Sequence, residues 1–398
     1  MDGDHHVVPA EVRRAHAYLG AVTERPTAEL WDLVDEVGPV EAADRIRSGR
    51  VGASLAGQSE SRRDRIDVDG LFGAAAEVGA RLLVPGDPGW PATALAPLDR
   101  PRALRPARRG AVATALRPLG LWWRGPSVPE VALARSVSIV GTRAPTAYGR
   151  AVTADLAAGL TAGAFTVVSG GAFGIDAAAH RAVLGASGCT VAVLAGGVDR
   201  LYPRGNEGLL SAVAGSGAVV SAQPPGTGVT RYRFLDRNRL IAALSGATVV
   251  VEAAARSGAL STAAWADALG RPVGAVPGPV TSVASVGCHM LLRDRGAVLV
   301  GRTADVVELA GDMGETAPPP AAESTSWDGL DDVTRRVLEA LPVTGGAAPA
   351  EVAVWSGVAP ATTRAVLGRL LSTGAAIRGE RGWRRAGDGG VQLTMPVT

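Results

Sequence analysis

Between about residues 135 and 310, short and nearly continuous apolar runs alternate with longer stretches carrying Ala and Leu at helical spacing. The runs read SVSIVGT, FTVVSGG, TVAVLAGG, AVVSAQ, ATVVVEA, PVGAVPG and AVLV. Apolar character at consecutive positions over so few residues is what strands buried on both faces require. Their alternation with helices predicts an α/β fold: a Rossmann-like, doubly wound, mainly parallel sheet. Ligands of such sheets bind beyond the carboxyl ends of the strands. The unusual residues of this region fall at those ends.

The flanking regions have other periods. Residues 8–125 open with helical spacing, broken by Gly-Pro in ELWDLVDEVGPVEAADRIRSG, which predicts a small helical bundle. From about 95 to 120 the chain turns Pro- and Arg-rich and follows no period, so it reads as an extended approach to the sheet. Residues 311–328 are dominated by Pro, Ser, Thr, Gly and acidic types and read as a linker. Residues 329–385 then carry two amphipathic segments and a basic ending, AAIRGERGWRR. Helix, helix-turn-helix and basic strand-turn-strand is the order of a winged helix. The expected domains are therefore 8–125, 126–310 and 329–385, joined by a linker at 311–328.

Composition narrows the function classes. A net charge of +2 over 398 residues provides no global attraction for a polyanion, so only a local cluster could supply one. All 40 basic residues are arginine, a bias that a GC-rich genome explains without any functional cause. Cys189 and Cys288 show no CxxC spacing and suggest neither a metal site nor a disulfide. No leader-like start or bilayer-length apolar run is present, and the chain reads as cytoplasmic with no membrane partner. A Walker A loop requires lysine, and no G-x-S-x-G elbow, H-E-x-x-H or paired-carboxylate motif occurs. Neither a cofactor nor a catalytic constellation is expected.

Four strand ends carry candidate chemistry. In GTRAPTAYGRAV, Arg143 sits in a strand-to-helix loop where exposed N–H groups and a helix dipole suit a phosphate. A plain surface arginine explains it equally well. In SGGAFGIDAAAH, Ser169, Gly170 and Gly171 form a close-approach loop without the spacing of a dinucleotide fingerprint. Asp176 reads there as a helix-start residue and His180 as structural. Arg204 follows the third run, and Asn206 is placed to cap the next helix. The stretch TRYRFLDRNRLIAALS interleaves Arg231, Arg233, Arg237 and Arg239 with Tyr232, Phe234 and Asn238. Basic residues mixed with aromatics are what a single-strand stacking surface needs, and a solvated helix start is the plain alternative. Arg256 and Ser257 open a polar loop, continued by Ser261 and Thr262, ahead of an Ala-rich helix.

At these loops the chain resembles the DNA-processing DprA/Smf family. The matching stretches run in order: SIVGTRAPTAYG, VVSGGAFGIDAAAH, VAVLAGGVDRLYPRGNEGLL, RNRLIAALS, VVVEAAARSGALSTAAWA, GRPVGAVPG and GCHMLLRDRGAVLV. They cover about residues 136 to 300, and RLLVPGDPGWP and LWWRG resemble the family's approach to the first strand. The resemblance implies single-stranded-DNA binding in a positive pocket and loading of RecA recombinase during natural transformation or recombination. It also implies a homodimer formed through the Rossmann-like domain. Carried over by motif, Arg143, Ser169 to Gly171, Arg204, Arg237 and Arg239 would contact phosphates. Where the family shows Phe-Pro-x-Arg-Asn-Arg, this chain has Phe234-Leu235-Asp236-Arg237-Asn238-Arg239, which is expected to put a carboxylate beside those contacts.

Two other functions compete. A related Rossmann-like group hydrolyses nucleoside monophosphates with a Pro-Gly-Gly-x-Gly-Thr-x-x-Glu loop, where this chain has EAAARSGALSTAAWA. A winged-helix transcription regulator would read duplex DNA with Arg364, Arg369, Arg378, Arg381, Arg384 and Arg385. A protein-interaction or inert accessory role for that region is the bland alternative.

Overall fold

In the computed structural model, residues 8–98, 116–311 and 330–386 are described. The proposed linker and most of the Pro- and Arg-rich stretch lie outside the described residues. The chain divides into two units, one ending before Pro318 and one after it.

The larger unit is built on one nine-stranded sheet. Seven strands match the apolar runs: β3 (Ser136–Val140), β4 (Thr166–Ser169), β5 (Thr190–Val193), β6 (Ala218–Ser221), β7 (Ala247–Val250), β8 (Val273–Ala275) and β9 (Val298–Leu299). They are parallel, in the order β6-β5-β4-β3-β7-β8-β9. Two further strands, β1 (Ala80–Leu83) and β2 (Leu121–Arg124), extend the sheet antiparallel beyond β6. These two were not expected. Four residues with an exposed Arg81 in one, and two consecutive tryptophans in the other, do not register as buried strand runs.

Both faces of the sheet are covered. Val140, Val168, Val191, Val193, Val220 and Val250 point to one face. There they pack against α10 (Arg231–Ala243), α11 (Ala259–Ala268) and α12 (Val286–Asp294), with the short α5 (Ala92–Leu95) and α6 (Pro129–Ala134). Their neighbours Ile139, Val167 and Val249 point the other way, onto α7 (Ala147–Ala162), α8 (Ile175–Gly185) and α13 (Thr303–Ala310). The pleat alternation thus explains why each run is apolar throughout. Trp122 and Trp123 divide between the two faces in the same way, and both are buried.

The N-terminal helices are α1 (Ala10–Val22), α2 (Ala28–Arg47), α3 (Ala53–Ser59) and α4 (Val68–Glu77). With α9 (Glu207–Ser216) they share a single apolar cluster with Trp122, Ala192, Leu194 and Val219 of the sheet. The Gly-Pro break is visible in α2, where Gly38 takes φ 80° and Pro39 restarts the helix.

The second unit contains α14 (Asp332–Glu339), α15 (Pro349–Ser356), α16 (Pro360–Ser372) and a hairpin of β10 (Ala376–Gly379) with β11 (Gly382–Arg385). Val337, Leu338, Val352, Val366, Leu367, Leu370 and Trp383 form its own core. Asp331 caps α14 by accepting from the Thr334 N–H at 2.8 Å, and Gly357 ends α15 in the left-handed conformation.

The strand order reverses between β3 and β7. From β3 the chain steps outward through β4, β5 and β6, and α10 then carries it back to β7 on the other side of β3. At such a reversal the two loops beyond the strand ends diverge and leave a crevice.

Candidate nucleic-acid interface

A cleft of about 730 Å³ opens at this reversal. Its walls come from the loop after β3 (Gly141, Arg143), the start of α8 (Ala172, Asp176), the front half of α10 (Arg231 to Asn238) and the loop and first turn of α11 (Arg256 to Thr262). Four arginines, Arg143, Arg231, Arg237 and Arg256, face one carboxylate, Asp176. Arg143, Arg231 and Arg256 are exposed and form no ion pair among the described residues, though Arg143 attracts Asp176 from a distance.

Buried contacts hold each wall. Glu252, just past β7 and 2% exposed, accepts from the Thr146 N–H at 2.9 Å and from the Thr146 hydroxyl at 2.6 Å. Its backbone carbonyl accepts from the Thr142 N–H at 2.6 Å. The Arg143 loop is therefore pinned at both ends by one residue. Thr146 also caps α7 by accepting from the Gly149 N–H at 3.1 Å. Gly149 is required there, since a β-carbon would come within 2.2 Å of the Glu252 carboxylate. Thr230 caps α10 by accepting from the Arg233 N–H.

The floor is a buried Asp176 and Arg237. The Asp176 carboxylate accepts from the N–H groups of Gly170 and Ala172 at 3.2 and 3.3 Å. Burial raises its pKa above the ordinary carboxylate range, opposed by attraction to Arg237 and by those two donors. Burial likewise lowers the pKa of Arg237, with Asp176 opposing. One Arg237 nitrogen donates to the Val193 carbonyl at 3.2 Å, while its Nε has no hydrogen-bond partner. Phe234 lies beside these charges, its ring centre 5.6 Å from the Arg143 guanidinium carbon and 5.7 Å from that of Arg237.

Of the expected site residues, Arg143, Phe234, Arg237, Asn238, Arg256 and Ser257 line the cleft. The others do not, and each has a local reason. The Ser169 hydroxyl is fully buried and donates to the Ile139 carbonyl at 2.6 Å. The Gly170 N–H is taken by Asp176, so the glycine loop serves a protein carboxylate where a phosphate was expected. Gly171, at φ 67°, accepts on its carbonyl from Asn206 at 3.0 Å, which makes Asn206 a buried brace of that loop. Asn206 makes no side-chain capping bond to α9. Arg204 is exposed on a one-turn helix outside the cleft. Arg239 is buried, pairs with Asp236 at 3.1 Å and donates to the Leu116 carbonyl. Asp236 is thus engaged with Arg239, outside the cleft lining. Tyr232 points away from the cleft toward the α1–α2 turn, under the Arg25 guanidinium.

Sequence reasoning passed over Asp176 as a floor residue and Glu252 as the loop anchor, and named Arg231, a wall arginine, only as part of a basic run. It also passed over Tyr202, whose ring lies 5.9 Å from Phe234. Glu252 was recoverable: an acidic residue directly after a buried strand needs a partner. His180 is buried and its pKa falls to about 3, because desolvation disfavours the charged ring. Its Nδ1 lies 2.8 Å from the Thr190 hydroxyl, which donates to the Val167 carbonyl, so the Nδ1–H tautomer satisfies that oxygen.

Among the described residues no cluster of His, Cys, Asp or Glu is placed to hold a metal ion, and no helix is long and apolar enough to cross a membrane. A family model described as DNA recombination-mediator protein A matches residues 86–311. The putative DNA processing protein DprA of Mycobacterium tuberculosis is 49% identical over 379 residues, 94% of this chain and 95% of that protein. The DNA processing protein DprA of Bacillus subtilis is 38% identical over 174 residues, 44% of this chain and 58% of that protein. The solved structure of DprA from Streptococcus pneumoniae superposes with a TM-score of 0.60 at 28% identity, covering 76% of this chain and 98% of that one.

Proposed function

The chain belongs to the DNA recombination-mediator protein A family, and on that premise we propose that it holds single-stranded DNA in the cleft at the strand-order reversal. The observation that carries this reading is the set of four arginines around Phe234, three of them exposed and without an ion pair among the described residues. Arg143, Arg231 and Arg256 contact phosphates, Phe234 offers a face to a base, and Arg237 supplies fixed charge from the floor. Such contacts read backbone charge and π-surface, so binding is indifferent to sequence. The α11 start, with Ser257 and Thr262, adds hydroxyls and a positive helix end for phosphate oxygens.

The bound strand is passed to RecA recombinase in transformation or recombination, with the protein acting as a homodimer and without turnover. The helical region at 8–125, the Rossmann-like region at 126–310 and the winged-helix-like region at 329–385 are its functional divisions. Ser169, Gly170, Gly171, Asn206 and Arg239 shape the site from behind.

The test is binding to an oligo-dT strand and to an equal-length duplex across a salt series. Preference for the single strand, with affinity falling as salt rises, is the expected result. Equal affinity for the duplex would move the activity to the second unit and a regulator. No binding to either, with hydrolysis of a nucleoside monophosphate, would make the cleft an enzyme site.

A further inference from the structure

The cleft is of the size that encloses a single small ligand, so a strand of several nucleotides must continue over its rim. Beside the wall residue Arg231 stands Tyr232, which is 39% exposed. The Arg25 guanidinium carbon lies 4.9 Å from the centre of its ring, and an Arg25 N–H donates to the Tyr232 hydroxyl. Arg25 comes from the turn between α1 and α2, is exposed, and has no carboxylate partner among the described residues. The residue before it is fully engaged: Glu24 pairs with Arg62 at 2.5 Å and with Arg233 at 3.1 Å. The Arg233 bridge ties the turn to α10 and the Arg62 bridge ties it to the segment after α3; together they cancel the Glu24 charge, which leaves Arg25 as the uncompensated charge of the turn.

We infer that the Arg25–Tyr232 pair is a second step of the single-strand track, taking the next phosphate and base of the strand that occupies the cleft. An arginine plane laid against an aromatic ring is a surface on which a base can stack while the charge meets a phosphate. The N-terminal helices thereby contribute to binding directly. This inference rests on the proposed single-strand activity of the cleft.

The experiment measures anisotropy of labelled oligo-dT strands of about 4 to 16 nucleotides, a span typical of single-strand sites, on the full chain. With Arg25→Ala and Tyr232→Ala, affinity for the shortest strands is unchanged, and affinity for longer ones falls about five-fold or more. Arg25→Ala also flattens the log–log salt dependence for long strands by about 0.7, one phosphate contact. Tyr232→Phe keeps the stacking face and retains most of the length effect. Arg256→Ala, inside the cleft, weakens every length. Equal losses at all lengths for Arg25→Ala and Tyr232→Ala, or none, would overturn the second step while leaving the cleft reading intact. Failure of the unmodified chain to bind any single strand would overturn both.

Discussion

At the scale of single residues, the two roles of arginine in the cleft separate by burial. Arg143 is exposed and Arg237 is 6% exposed. Arg143→Ala should weaken single-strand binding and its salt dependence with stability changed by less than about 0.5 kcal/mol. Arg237→Ala removes the strongest charge attraction on the buried Asp176 carboxylate, leaving it two backbone N–H donors and the more distant Arg143, and should cost about 3 kcal/mol of stability as well as binding, read by urea unfolding. Gly170→Ala is a third case: its β-carbon would lie 1.4 Å from an Arg237 nitrogen, an overlap that expels the guanidinium from the floor. Two buried histidines set a pH dependence. The folded pKa values of His16 and His180 fall to about 4 and about 3, because burial disfavours their charged forms. The unfolded chain therefore binds more protons below its ordinary histidine pKa, and stability falls as pH drops from about 6.5 toward those values. Between pH 6.5 and 5 each histidine should cost on the order of 2 kcal/mol, measured as a shift in the urea midpoint. Residue roles were the least legible level in the sequence. Arg237 and Arg239 differ by two positions in one motif, yet one floors the cleft and the other binds Asp236 and Leu116 behind it. Which way each side of α10 faces depends on the angle at which the helix lies on the sheet, and no local pattern encodes that angle.

At the scale of elements, α10 joins two environments along one helix. Leu240 to Ala243 are fully buried under the sheet, while Arg231 and Phe234 line open space. The apolar half fixes the polar half in place. The loop after β3 is held in the same spirit by Glu252. Glu252→Ala should free the Thr146 end of the Arg143 loop while the Glu252 carbonyl keeps the Thr142 end, lowering both stability and single-strand affinity, whereas Glu252→Gln keeps one acceptor for Thr146 and should be milder. Denaturation and anisotropy on the same two variants check this, and an intact affinity in Glu252→Ala would show that the loop does not need the carboxylate anchor. The parallel strands were legible because both-face burial writes itself as continuous apolar runs. The strands β1 and β2 were not, since their burial depends on Trp122 and Trp123 meeting two different helical layers.

At the scale of the whole molecule, the two units carry separate cores. The smaller unit holds few large apolar residues, and domains of its size are marginal alone. Calorimetry should resolve two transitions, and a chain ending at residue 311 should keep single-strand affinity within about two-fold, since the whole cleft lies before that point. A large loss in the shortened chain would assign part of the binding to the residues removed. The Pro- and Ser-rich composition suggests a linker at 311–328, and the chain divides at Pro318. The reach of the N-terminal helices onto the sheet was not, because their apolar faces state only that a partner surface exists.

The position of the cleft has a further consequence. Its walls come from segments near residues 143, 176, 234 and 256, which the chain brings together only by completing the crossover from β6 to β7. An unfolded chain has no such assembly, so a bound strand acts as a noncovalent staple across loops far apart in sequence. At a concentration one hundred times its dissociation constant, the strand would stabilise the larger unit by about 2.7 kcal/mol. Occupancy would then appear as a higher melting temperature of the larger unit, with the smaller unit unmoved.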